Sequence, residues 1–191
     1  MCTRHKQRGI SLIELIMFIV IVSVALAGIL LVMNTVTRSS VDPLIHKQAL
    51  AIAESLLEEI ELQPFTFCDP DDPAAALIGT VDTSPCTTPP GGEALGPEAG
   101  EDRYSTTNPY DNVNDYHGFG MAAGAILDIG GISTGVNGYT LAPIVITPVG
   151  LALGLPLVSD ALQITVSVTG PNNVPVVIEG IRTRYSPRAV P

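Results

Sequence analysis

From Leu15 to Met33 the chain carries no charged side chain. As a helix this run of roughly 19 residues spans about 28 Å, close to the ~30 Å hydrocarbon thickness of a bilayer. A basic head, Arg4, Lys6 and Arg8 with His5, precedes it. By the positive-inside rule the head faces the cytoplasm and everything after Met33 is exported. Glu14 breaks the pattern, lying four residues inside an otherwise apolar segment, where a lone carboxylate is costly and usually kept for function.

Three ordinary readings fit this stretch less well. A cleaved secretory signal needs a short apolar core and a small-residue exit, but Ser23 to Gly28 run on into Ile29-Leu30-Leu31-Val32. A plain anchor fits length and flanks but leaves Gly9 and Glu14 without a role. A buried helix of a soluble protein does not call for the basic head.

Gly9, Ile10 and Glu14 together resemble the N terminus of the type IV prepilin family. That family has a short basic leader ending in Gly, then an apolar residue, usually Phe, with Glu at the fifth mature position. Ile10 stands where Phe is usual. The resemblance implies cleavage between Gly9 and Ile10 by prepilin peptidase, N-methylation of Ile10 by the same enzyme, and a role for Glu14 in assembly, pairing with the amine of a neighbouring subunit.

The chain's 191 residues suffice for one domain plus an anchor. Its net charge of −10 becomes −13 once the three basic leader residues are removed. So acidic a chain lacks the clustered Lys and Arg of a nucleic-acid-binding surface. Cys2 falls in the leader, leaving Cys68 and Cys86, an even pair on the exported side where a disulfide is expected. No Cys or His cluster accompanies them, so neither a metal nor a cofactor is assigned.

The expected organisation is a leader at 1–9, a transmembrane and assembly helix at 10–33 and an amphipathic exported helix at 34–63. A Pro/Gly-rich loop region at 64–138 with the disulfide follows, and then antiparallel strands at 139–191. Asp42-Pro43 reads as a break or restart, with a kink or short gap near Val41–Asp42. Beyond it, Ile45, Ala49, Ile52, Ala53, Leu56 and Ile60 recur at helical spacing with Leu57 beside them, a stripe expected to pack on the domain's own sheet. Pro64 stops the helix. Phe65 to Tyr110 is acidic and rich in Pro and Gly, without the oxygen-ligand spacing of a calcium loop. Asn108 to Phe119 reads as a turn anchored by Tyr110, Tyr116 and Phe119, or alternatively as a small calcium site or assembly contact at Asp111–Asp115. His117 has no catalytic partner in sequence.

Tyr139 to Val149 alternates loosely and is broken by Pro143 and Pro148, as an edge strand would be. Leu162, Ile164, Val166 and Val168 alternate with polar residues as a half-buried strand. After a turn at Gly170–Asn173, Val174 to Tyr185 pairs back, with Val177, Glu179, Ile181, Thr183 and Tyr185 on one face. A long helix followed by consecutive strands makes the fold class α+β with an antiparallel sheet, type IV pilin-like by the resemblance.

Three further segments look like minor pilins of mannose-sensitive haemagglutinin (MSHA) pilus systems, the D-type biogenesis protein among them. These are Asp42-Pro43 with Gln48 to Glu54 and Leu57 to Ile60, then Asp111 to Phe119, then Ile164 to Val166 with Gly180 to Tyr185. Related pilus-modification pilins and type II secretion pseudopilins carry similar segments. The implied function is a low-copy subunit that helps start or cap a filament. Its implied partners are prepilin peptidase, other minor and major pilins, the inner-membrane assembly machinery and the lipid bilayer. Its implied place is the inner membrane, N terminus cytoplasmic and C-terminal domain periplasmic, with incorporation into the pilus. Two other readings stand beside it: a minor pseudopilin of type II secretion, and a periplasmic enzyme or sensor on a single anchor. The last lacks support, since the sequence has no Gly-x-Ser-x-Gly elbow, no His-Glu-x-x-His and no phosphate loop.

Overall fold

The computed structural model describes residues 9, 11–77, 82–87 and 90–184, with the side chains at 37–42 and 125 left aside. The basic head, Ile10 and Tyr185 lie outside the described residues.

Helix α1 runs Leu12–Glu61, 50 residues, with Pro43 inside it. The expected gap at Val41–Asp42 is absent, because the backbone stays helical through Pro43. Proline removes one helical hydrogen bond and disfavours a helical residue before it, and in so long a helix the turns on either side hold the backbone. The chain divides into two compact units inside α1, residues 1–44 and 45–191.

In the first unit, Leu12–Val36 is long and apolar enough to cross a membrane, with mean hydropathy 3.2 and no buried residue in its most apolar window. Ser23 and Thr35 turn their hydroxyls back onto the Ile19 and Leu31 carbonyls, so these two hydroxyls are satisfied within the helix.

The second unit is the rest of α1 laid on a five-stranded antiparallel sheet. The strands are β1 (Met121–Leu127), β2 (Ser133–Leu141), β3 (Val145–Pro148), β4 (Ala161–Thr169) and β5 (Pro175–Thr183). Strand β4 is the hub. Strand β5 pairs along one edge of it, while β2 and β3 share the other, β2 at Thr169 and Val168 and β3 from Thr165 to Leu162. Thus β2 and β3 form one lane interrupted at Pro143, and β1 pairs outside β2. The Tyr139–Val149 stretch is therefore an edge only in its β3 part. Its first residues lie between β1 and β4.

Two strands begin ahead of residue 139, in the stretch read as loop. In β1, Met-Ala-Ala-Gly-Ala-Ile-Leu offers little alternation, and its pairing with β2 shifts register repeatedly. In β2, Gly135 and Gly138 adopt left-handed φ of 77° and 83°, so β-branched periodicity is lost where the backbone is still paired.

The helical stripe and the alternation of β4 meet as expected. Ala49, Ala53, Leu56 and Ile60 are buried in one cluster with Leu162, Ile164, Val166, Val168 and Val176, with Ile45, Ile52 and Leu57 packed at its margin. The layers approach closely because the sheet carries glycine beneath the helix: a Cβ on Gly180 would lie 2.8 Å from a Leu57 methyl, and one on Gly170 would lie 2.6 Å from an Ile45 methyl. Tyr139 donates its hydroxyl to Gln48, tying β2 to the helix. The face of β5 carrying Val177, Glu179, Ile181 and Thr183 points away from this core.

Cys68 and Cys86 are joined by a disulfide across 18 residues. With Ala74 and Ala75 they form a small buried cluster of their own beside the main core. Closing such a loop is worth about 3 kcal/mol, chiefly through the unfolded chain. Cys68→Ala with Cys86→Ala is expected to lower the unfolding free energy by about that amount, measured by denaturant unfolding. Equal stability of the double variant and the oxidised wild type would count against it.

Candidate functional site

The N-terminal segment presents a bare apolar surface with one carboxylate. Along Leu12 to Met33 the large side chains are exposed, Leu12 at 76% and Leu31 at 70%. Glu14, in the first turn of α1, is exposed among them. Gly9 precedes the helix, and a Cβ there would meet nothing within 4 Å.

The second feature lies in the unit from Ile45 onward. After Pro64 the chain leaves the helix buried: Phe65, Thr66, Phe67 and Cys68 are all inside. Gly92 then passes directly against this segment. Its φ is +85°, and a Cβ on it would stand 2.6 Å from the Phe67 carbonyl oxygen, so only glycine allows the approach. Glu93 N–H donates to that same carbonyl. The turn Val113–Tyr116 is docked on the helix end through Val113 N–H to the Pro64 carbonyl, and Tyr116 donates its hydroxyl to Glu59. Tyr110, Tyr116, Phe119 and Tyr104 pack edge to face with centroids 5.1–6.5 Å apart, so the aromatics anchor this turn as the sequence suggested. His117 Nδ1 accepts the Ile146 N–H, which gives it a structural place at the start of β3.

These three approaches gather carboxylates from three separate stretches: Asp69 and Asp71 beside Cys68, then Glu93, Glu98 and Glu101, then Asp111 and Asp115. They form overlapping groups of three whose oxygens lie within 4.8 Å of one another. Asp115 is fully buried. Its Oδ2 accepts the Asp111 and Asn112 N–H groups, while Oδ1 has no donor. Neither oxygen of Glu93 reaches solvent or has a donor from backbone or basic side chain, and Glu93 faces Asp115 closely enough for the two carboxyls to share a proton. Burial is the main cause, reinforced by the neighbouring carboxylates and opposed at Glu98, Glu101 and Asp115 by hydrogen bonds, and it raises Glu93 to about 10, Glu101 and Asp111 to about 7, Asp115 to about 6, and Glu98 in the same direction.

Among the described residues no basic side chain forms an ion pair with these carboxylates, and Arg184 acts on Glu93 only through space. Between residues 69 and 115 the sequence has one basic side chain, Arg103. Arg103 is committed elsewhere, in a bidentate pair with Glu59 at 2.6 and 2.7 Å. Arg184 lines a small cavity with Glu93 but donates to the Phe65 and Ser159 carbonyls and stacks on Phe65 and Phe67. Among the described residues no ion pair reaches the cluster. Sequence reasoning raised Asp111–Asp115 alone; Glu93, Glu98 and Glu101 are joined to it only by the loop packing.

Compared with known proteins, residues 4–30 match the family model described as the prokaryotic N-terminal methylation motif. No curated protein and no solved structure matches the chain. The motif supports a type IV prepilin-like protein, and the long apolar helix followed by an antiparallel sheet is consistent with a type IV pilin-like α+β fold. Together they support a pilin- or pseudopilin-like subunit, with association with prepilin peptidase and pilus machinery implied by the motif and membrane anchoring suggested by the apolar helix.

Proposed function

We propose that this chain is a minor pilin. Prepilin peptidase cuts it between Gly9 and Ile10 on the cytoplasmic side and methylates Ile10. The exported domain then stands in the periplasm until the apolar helix is drawn into the start or cap of a type IV, MSHA-like filament beside other minor and major pilins. The observation that supports it most is the pairing of the methylation motif with a helix whose apolar side chains are exposed among the described residues. A surface of that kind suits lipid first and neighbouring helices afterwards. The resemblance at Asp42-Pro43, Asp111–Phe119 and Gly180–Tyr185 favours the MSHA-type minor pilins over other members.

Mass spectrometry of the protein from membranes tests the processing. The N-terminal peptide should begin at Ile10 and carry one methyl group; a mature chain beginning at Met1 in a host with active prepilin peptidase would end the proposal. Glu14 tests the assembly. Buried among helices, its carboxylate needs a partner, and the new amine of a neighbour's Ile10 supplies one. Glu14→Gln should leave cleavage and the exported domain's melting unchanged and lower recovery of the subunit with sheared filaments severalfold. Recovery with purified secretion complexes and not with filaments would favour the pseudopilin reading. Unchanged recovery at equal membrane levels would show the carboxylate to be dispensable.

A further inference from the structure

We propose that Glu93, Glu98 and Asp115 hold a calcium ion that locks the loop after Gly92 onto the Val113–Tyr116 turn. Their carboxylate oxygens lie within 4.8 Å of one another, the spacing of ligands around a shared cation. Three observations point to an ion. Asp115 is completely buried and keeps Oδ1 without a donor. Both oxygens of Glu93 are equally inaccessible and equally without a donor from backbone or basic side chain. The one basic residue of the surrounding stretch, Arg103, is spent on Glu59. Buried carboxylates left ionised cost several kcal/mol each unless a cation joins them or they take up a proton.

The donor chemistry selects the ion. Every candidate atom is a hard oxygen, and the nearby cysteines are tied up in the disulfide, so soft-metal chemistry has no ligands. The ligands come from irregular loops at unequal spacing. Calcium accepts six to eight oxygens at about 2.3–2.6 Å in flexible geometry, whereas magnesium demands a near-ideal octahedron. Glu101 and Asp69 adjoin the same three residues in overlapping groups and supply further negative charge. The inference does not depend on the pilus reading, since it concerns only the exported unit.

The test uses the full processed chain in detergent, with calcium and magnesium salts as probes. Calcium at about 1 mM, the level to which extracellular modules are tuned, should raise the melting temperature over a chelator control, by roughly 5–10 °C if that level is ~100-fold above Kd. Calorimetric titration should give one site, and magnesium at equal concentration should give less than about a third of the shift. Glu93→Gln removes charge and keeps a side chain able to hydrogen-bond Asp115. It should melt unchanged or higher in chelator and lose the calcium shift, as should Glu98→Gln. Absence of any calcium shift in the wild type would overturn the proposal in favour of a proton shared within the carboxylate pair. So would a shift kept by both variants, or one matched by magnesium. A lower melting temperature of Glu93→Gln in chelator would show instead that Glu93 is neutralised by Arg184 across the cavity they share.

Discussion

Replacing Gly9 by leucine is expected to abolish leader removal, leaving the uncleaved form dominant in the membrane. The structure makes this substitution unusually clean. A Cβ at Gly9 meets nothing within 4 Å, and its φ is not in the left-handed region, so the chain's own fold makes no demand for glycine there. A requirement for glycine there would come from outside the chain, from the prepilin peptidase that the motif implies. The intact mass of membrane-extracted protein should rise by that of residues 1–9. The melting of the exported domain should be the same in precursor and mature chain. Full processing of Gly9→Leu would remove the basis for placing the cut after residue 9.

The largest loss of stability is expected from Arg103→Met. Arg103 is buried, 4% exposed. Its Nε and Nη2 hold both oxygens of Glu59, Nη1 reaches the Asp128 carbonyl, and the guanidinium lies 5.1 Å from the Tyr104 and Phe119 ring centroids. One side chain thus joins α1, the acidic loop, the aromatic turn and the β1–β2 connection. Methionine fills much of the volume but leaves the Glu59 carboxylate inside with only the Tyr116 hydroxyl. Breaking a buried pair in this way costs about 3–5 kcal/mol, or roughly 6–20 °C in melting temperature for a domain of this size. Adding Glu59→Leu should recover most of the loss, because the cost is the orphaned charge more than the missing attraction. A single variant within about 1 kcal/mol of wild type would show Glu59 to be solvated when unpaired.

The parts of the fold that were legible in sequence are those where one physical period dominates. The 3.6-residue stripe from Ile45 to Ile60 and the two-residue alternation from Leu162 to Val168 each name their buried face, and those faces form the core. Strands β1 and β2 were hidden because alanines and left-handed glycines interrupt their alternation, leaving only a few side chains such as Met121, Ile126, Tyr139 and Leu141 to reach the core. Pro43 misled in the opposite direction, being a local break signal inside a helix that continues on both sides. For the acidic cluster, spacing along the chain could not help, since its members lie as far apart as Asp69 and Asp115 and meet through Gly92 and the docked turn. A count of basic residues would have been a better signal: a run from 69 to 115 with many carboxylates and one arginine cannot neutralise itself.

The thin seam between helix and sheet has a consequence for how this sequence can drift. Leu57 and Gly180 occupy one shared volume, as do Ile45 and Gly170. Bulk gained on either side must be surrendered on the other, so each pair behaves under mutation as a single site with a fixed sum. Substitutions at one member are filtered by the current identity of its mate, and the order in which changes arrive decides which are accepted. The sheet domain can therefore diversify freely on its outer strand face while the inner one changes only in compensated steps.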